Sequence, residues 1–140
     1  MSAIAQGILT NFDYDLELLP SVSKFGTFGS DIYTTTSSWG MPMAITTTIR
    51  MIGFVTSVAP ANPSDVFRMI IYNRSAGTSQ TRNFSNWNTY ELNSQALSTP
   101  LEITQGDLVY LELLLVGGAV TSNLNVPQVL AIYDLVTIPV

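Results

Sequence analysis

ITQGDLVYLELLLVGG, residues 103–118, carries a single charge between Leu108 and Val116, at Glu112. A strand with one wet face alternates apolar and polar side chains. Here Val109, Leu111, Leu113 and Leu115 make one apolar face. Leu108, Tyr110, Glu112, Leu114 and Val116 make a second that is nearly as apolar. An antiparallel sandwich turns only one face of a strand to its core, and the sequence predicts no helix to cover the other. Left bare, that face is an aggregation-prone patch. Two coverings fit: the chain's own loops, or another copy of the chain. In the second case Tyr110, Glu112, Leu114 and Val116 are oligomer-interface residues. Glu112 is then bonded across the contact or displaced to its edge, and Ile132 to Ile138 contribute similarly.

Working outward, the rest of the chain reads as short β-branched and aromatic runs cut by Gly, Pro, Asn and Ser clusters. Residues 11–19 alternate, with Phe12, Tyr14, Leu16 and Leu18 on one face and Asp13, Asp15 and Glu17 on the other. Further strands are predicted at 32–36, 43–55, 66–72, 87–92, 101–103, 108–116 and 129–138. Residues 73–86 read as a long polar turn region, and Gln105-Gly106-Asp107 as a turn. Helical periodicity is absent. The expected fold is all-β, an antiparallel jelly-roll-like β-sandwich of about eight strands. One domain spans residues 1–140, with 1–10 either an N-terminal arm or a first strand.

Composition narrows the chemistry. Charged residues make up 11% of the chain, against a usual quarter. The 14 Ser, 16 Thr and nine Asn residues supply a neutral polar surface instead. With no His, no Cys and only Lys24, the Ser-His-Asp and Cys-His arrangements and a His-ligated zinc site are out of reach. No disulfide framework exists. The net charge of −5 argues against nucleic acid as a partner. No apolar run reaches the roughly 18–20 residues of a membrane helix, and no signal peptide is read at the N-terminus. The expectation is a protein without catalytic activity or cofactor, made in a cytosol, with no membrane partner.

Three constellations remain. Asp13, Asp15 and Glu17, spaced two apart on one strand face, are a candidate carboxylate or Ca²⁺ site. Their plainer reading is a solvated face. Trp87 and Tyr90, in the Asn-rich stretch NFSNWNTY (83–90), are candidate glycan-binding residues, joined by Trp39 in SSWGMP. A ring can stack on a pyranose face while amides bond its hydroxyls. The alternative is that these aromatics cap the core. The charges are also unevenly spread: beyond Arg82 there are five acids and no base.

The run LEITQGDLVYLELLL, followed by VLAIYDLVTI, resembles the closing strands of trimeric jelly-roll heads. These include tumour-necrosis-factor-type and complement-type heads, and the fibre knobs and decoration proteins of bacteriophage virions. The Gly-Asp turn corresponds to Gly106-Asp107 and the long strand to Leu108–Val116, so the likeness covers roughly the last 40 residues. It implies a homotrimer without catalytic activity. The low charge and absent cysteines point to the virion branch. The expected role is a capsid decoration protein on the virion surface, made in the host cytoplasm. Its partners would be itself and other virion proteins such as the major capsid protein. The alternative is a receptor-binding head that binds host glycans.

Overall fold

The alternating stretches that carry most of the apolar residues are also the strands. A computed structural model describes residues 2–12, 16–28, 34–35, 40–116 and 123–139. Along the chain run β1 (Ser2–Phe12), β2 (Glu17–Leu18), β3 (Lys24–Gly26), β4 (Met41–Pro42), β5 (Thr47–Val55) and β6 (Val66–Asn73). Then come β7 (Thr78–Ser85), β8 (Asn93–Ile103), β9 (Leu108–Val116), β10 (Leu124–Asn125) and β11 (Gln128–Pro139). Every strand pairing is antiparallel. One sheet has the order β1-β11-β5-β8. The other has β3-β9-β6-β7, with β4 also on β9. β2 and β10 pair as a separate two-stranded sheet. The chain passes between the two larger sheets after β1, β4, β5, β7, β8 and β9, by way of β2 at the first crossing and β10 at the last, which is jelly-roll-like connectivity. Among the described residues no helix is long and apolar enough to cross a membrane.

The core fills the space between the two sheets. From β9 come Val109, Leu111, Leu113 and Leu115; from β6, Phe67, Met69 and Ile71; from β5, Ile49, Ile52 and Phe54. Phe54 is the hub of an aromatic cluster. Its ring lies 4.1 Å from Phe67, 5.0 Å edge-on from Phe84 and 6.2 Å from Trp87, centroid to centroid. Such pairs add about 0.5–1.5 kcal/mol each beyond their buried area.

Of the expected strands, 32–36 lies mostly outside the described residues, and 43–55 and 101–103 are found as Thr47–Val55 and Asn93–Ile103. Two segments differ in kind. The supposed turn region 73–86 contains β7, which pairs with β6 from Thr78 to Ser85. Only Phe84 on that strand is fully buried, so an edge strand built from Thr, Ser, Gln and Asn gives no hydrophobic pattern to read. Residues 87–92, expected to be a strand, form a loop instead. Asn86 and Tyr90 take left-handed backbone angles, φ 50° and 58°, which break an extended path. The strand begins at Asn93. The segment 1–10, read as an arm or a first strand, falls from Ser2 onward in β1, which pairs with β11 along its length.

The corner where β7 meets β8 is sewn by side chains. Gln95 donates to the Asn83 carbonyl at 2.8 Å, and Arg82 donates to Gln95 and to Ser98 at 2.8 and 2.7 Å. A second device sits at Arg50. It is skipped in the register with both β11 and β8, a bulge that turns its side chain to Asp134 at 2.7 Å. An ion pair this exposed contributes little to stability.

The entry to β9 is fixed by one carboxylate. Asp107 Oδ2 accepts from the Thr104 amide at 2.9 Å and from Asn73 Nδ2 at 2.8 Å. Gly106, at φ 92°, supplies the left-handed step of the turn. The Asn73 hydrogen bond, then that from Thr104, holds the Asp107 carboxyl below its ordinary value. A lowered folded-state value means stability present at neutral pH and lost as pH falls from about 4 through that value. In urea unfolding, Asp107→Asn should lower the midpoint at neutral pH, and the gap from wild type should close in acid. A gap independent of pH would show that the charge on Asp107 does not matter.

Candidate functional site

The outer face of the β6–β9 ladder holds the residues singled out for assembly. Val66 lies opposite Val116, Arg68 opposite Leu114, Ile70 opposite Glu112, and Tyr72 opposite Tyr110. All eight are partly buried in the single chain, while their neighbours in sequence on these two strands are fully buried. The face has two halves. Val66, Ile70, Leu114 and Val116 form the apolar half, with Arg68 held by Asn83 Oδ1 at 3.0 Å. The other half is aromatic and polar.

In that half Tyr72 and Tyr110 stack at 4.5 Å with an 8° tilt. The Arg74 guanidinium lies 5.6 Å from the Tyr110 ring centre, and Phe25 approaches the same ring at 6.4 Å. Glu112 is engaged within its own chain. Its Oε1 accepts from the Tyr72 hydroxyl and its Oε2 from Ser23, both at 2.6 Å. These are charge-assisted bonds, stronger than neutral ones. Burial, the hydrogen bond to Glu112 and the negative charge behind it push the Tyr72 hydroxyl well above its ordinary pKa. Ser23, Phe25, Tyr72 and Arg74 were not expected from sequence. Only the observed register brings them beside Tyr110 and Glu112.

The opposite sheet presents a second apolar row on its outer face. Ile8, Ile132, Met51 and Ala96 are consecutive partners across β1, β11, β5 and β8. Ile8 is 61% exposed. The adjacent row, Gly7–Tyr133–Ile49, faces inward. There a Cβ on Gly7 would stand 2.4 Å from the Tyr133 ring, so any larger residue would have to displace that ring.

The aromatic loop divides. Trp87 is 6% exposed and packs in the core, with Nε1 donating to the Val58 carbonyl at 2.8 Å. Tyr90 is 81% exposed. Trp39 lies outside the described residues. Beside the loop is an open hollow of about 320 Å³, lined on its polar side by Asn86, Asn88, Asn93 and Gln95 with Ser85 and Ser94. Of the carboxylate triad, Asp13 and Asp15 lie outside the described residues. Glu17 is exposed and accepts from Asn123. Among the described residues no three acidic side chains gather as a metal site would require.

No family model matches the chain, and no curated protein matches it. A solved structure of infectious bursal disease virus, Gx strain, is similar over 95% of this chain and 32% of that one. The TM-score is 0.42 and the sequence identity 15%. The chain thus spans about a third of that neighbour's length.

Tyr72→Phe keeps the stack but removes one donor to Glu112. It should cost about 1–2 kcal/mol in equilibrium unfolding. The Glu112→Gln, Tyr72→Phe double variant should then lose less than the sum of the singles. Strict additivity would mean that the two groups are not coupled.

Proposed function

We propose that this chain is a non-catalytic structural protein of a virion, a homotrimeric capsid decoration protein of a bacteriophage. The copies meet through the outer face of β6 and β9. The observation that carries the reading is the apolar half of that face, with Val66 opposite Val116 and Ile70 diagonal to Leu114 around Arg68. Supporting it is the state of Glu112. A carboxylate buried at an interface is strongly destabilising when unpaired. Glu112 already accepts a hydrogen bond on each oxygen from its own chain, which lowers the cost of covering it. Tyr110, Glu112, Leu114 and Val116 are the contact residues on β9.

A decoration protein needs a second surface, for another virion protein such as the major capsid protein. The Ile8–Ile132–Met51 row on the opposite sheet has the apolar character for it. The chemistry is consistent with a role in assembly. The chain has no His and no Cys, so the usual nucleophile and general-base pairs cannot form.

Sedimentation at micromolar concentration should give the mass of three chains; a stable monomer would overturn the reading. Leu114→Asp takes an apolar side chain out of the contact and puts a carboxylate there opposite Arg68, at a cost of about 3 kcal/mol in lost burial and desolvation. It should weaken self-association on the order of a hundredfold or more and leave the β signal in circular dichroism intact. Ile8→Asp should keep the oligomer and reduce co-sedimentation with capsids. If Ile8→Asp dissociates the chains and Leu114→Asp does not, the copies meet on the other sheet.

A further inference from the structure

We infer that the loop between β7 and β8 is a binding site for a neutral oligosaccharide, with Tyr90 as its stacking ring and Asn86 and Asn88 as its hydrogen-bonding groups. The inference rests on the loop alone and does not depend on how the chains associate.

Tyr90 is the first observation. Its backbone is held at φ 58°, where a bulky side chain is sterically disfavoured. Glycine or asparagine would suit that position better. Burial of the ring does not hold it there, since the ring is 81% exposed. The packing of the fold therefore gives no reason for a tyrosine here. Strain kept in place by its surroundings, on a residue that contributes nothing to the core, points to function.

The second observation is the hollow. Its volume, about 320 Å³, is at the lower end for small-ligand sites. Among the described residues none that lines it is charged, and Tyr90 stands on the same loop two residues beyond Asn88, outside that lining. Ser85, Asn86, Asn88 and Ser94 line it with side chains that bond to no other described residue. An amide pairs a donor with an acceptor, the pattern that adjacent sugar hydroxyls satisfy. Leu92, 47% exposed, adds an apolar surface for the C–H face of a ring. The absence of charge on the lining favours a neutral sugar over an acidic one.

The third observation is rigidity. Asn93 brackets the loop: its Oδ1 accepts from the Asn88 amide and its Nδ2 donates to the Asn88 carbonyl, both at 2.9 Å. Trp87 is pinned to the Val58 carbonyl, and the Tyr90 amide donates to the Thr56 carbonyl at 2.9 Å. Thr56 is itself buried and bonded to the Asn125 carbonyl. A loop ordered in advance loses less entropy when a ligand binds. Asn93 is thus a positioning residue, and Trp87, which is 6% exposed at the floor of the hollow, anchors the loop from below.

The test is an array printed with neutral hexose and N-acetylhexosamine oligosaccharides beside sialylated ones. The wild-type chain should bind at least one neutral glycan. Tyr90→Gly and Asn86→Gly keep the left-handed backbone without strain, so each should hold or raise the melting temperature while weakening that binding at least tenfold. Asn88→Ala should weaken it with the melting temperature unchanged. No neutral glycan bound, binding confined to sialylated glycans, or binding undiminished in Tyr90→Gly and Asn86→Gly would each overturn the inference. So would a melting temperature that falls together with binding in Tyr90→Gly, since that would make the ring a structural element.

Discussion

The pairing of β9 on both its edges fixes most of what can be said about this molecule. β6 runs along its whole length from Val66–Val116 to Asn73–Val109, and β3 and β4 share the other edge. Side chains alternate with a period of two, so a slip of one residue would exchange the two faces. Burying Val109, Leu111, Leu113 and Leu115 therefore obliges Tyr110, Glu112, Leu114 and Val116 to face outward. The position of the carboxylate follows from the same constraint. Once Glu112 faces outward opposite Ile70, Tyr72 is diagonal to it along β6 and can reach it, and β3 brings Ser23 in from the other side.

The far end of the sandwich depends on a different set of bonds. The loop after β5, the loop before β8 and β10 have no common ladder. Thr56 joins them: its hydroxyl donates to the Asn125 carbonyl and accepts from the Val58 amide, and its own carbonyl accepts from Tyr90. Trp87 adds a bond to Val58 and inserts its ring beside Phe54. A buried aromatic thus positions a loop whose other aromatic is left in solvent.

Much of this was legible in the sequence. The long apolar strand, the Gly-Asp turn and the predominance of short strands give an all-β antiparallel sandwich. The long strands that were misread or missed are those with polar sequences; β3, β4 and β10 are two or three residues each, too short to show alternation. β7 and much of β8 lie at sheet edges, where Thr, Ser, Asn and Gln serve both faces and leave no apolar alternation. β8 even carries Pro100, tolerated where the β5–β8 register is interrupted between Leu101 and Ala96. The candidate site was legible on one strand only. Leu108–Val116 announces two apolar faces, but its neighbour on the outer face depends on long-range register. Nothing local ties Tyr72 to Tyr110, or Ser23 to Glu112, 89 positions away. Trp87 and Tyr90 illustrate the same limit. Three residues apart in one Asn-rich run, they look alike in sequence, and only the core contacts of Trp87 separate them.

The scarcity of charge connects the fold to its proposed role. β1 is an eleven-residue edge strand with neither a charged residue nor a proline. Edge strands are commonly protected by such residues, or by a bulge; here a register shift between Ala5 and Gln6 is the one such device on the strand. The outer face of β6 and β9 is similarly undefended, its charges drawn into bonds with Asn83, Tyr72 and Ser23. Stripping water from lysine or glutamate is far costlier than stripping it from threonine, asparagine or isoleucine. A monomer surface of this kind is poorly adapted to staying alone at high concentration and well adapted to being covered. Neutral hydroxyls and amides keep the chain hydrated until a partner arrives, and then they can be desolvated, or bonded across the contact, without a charge left behind.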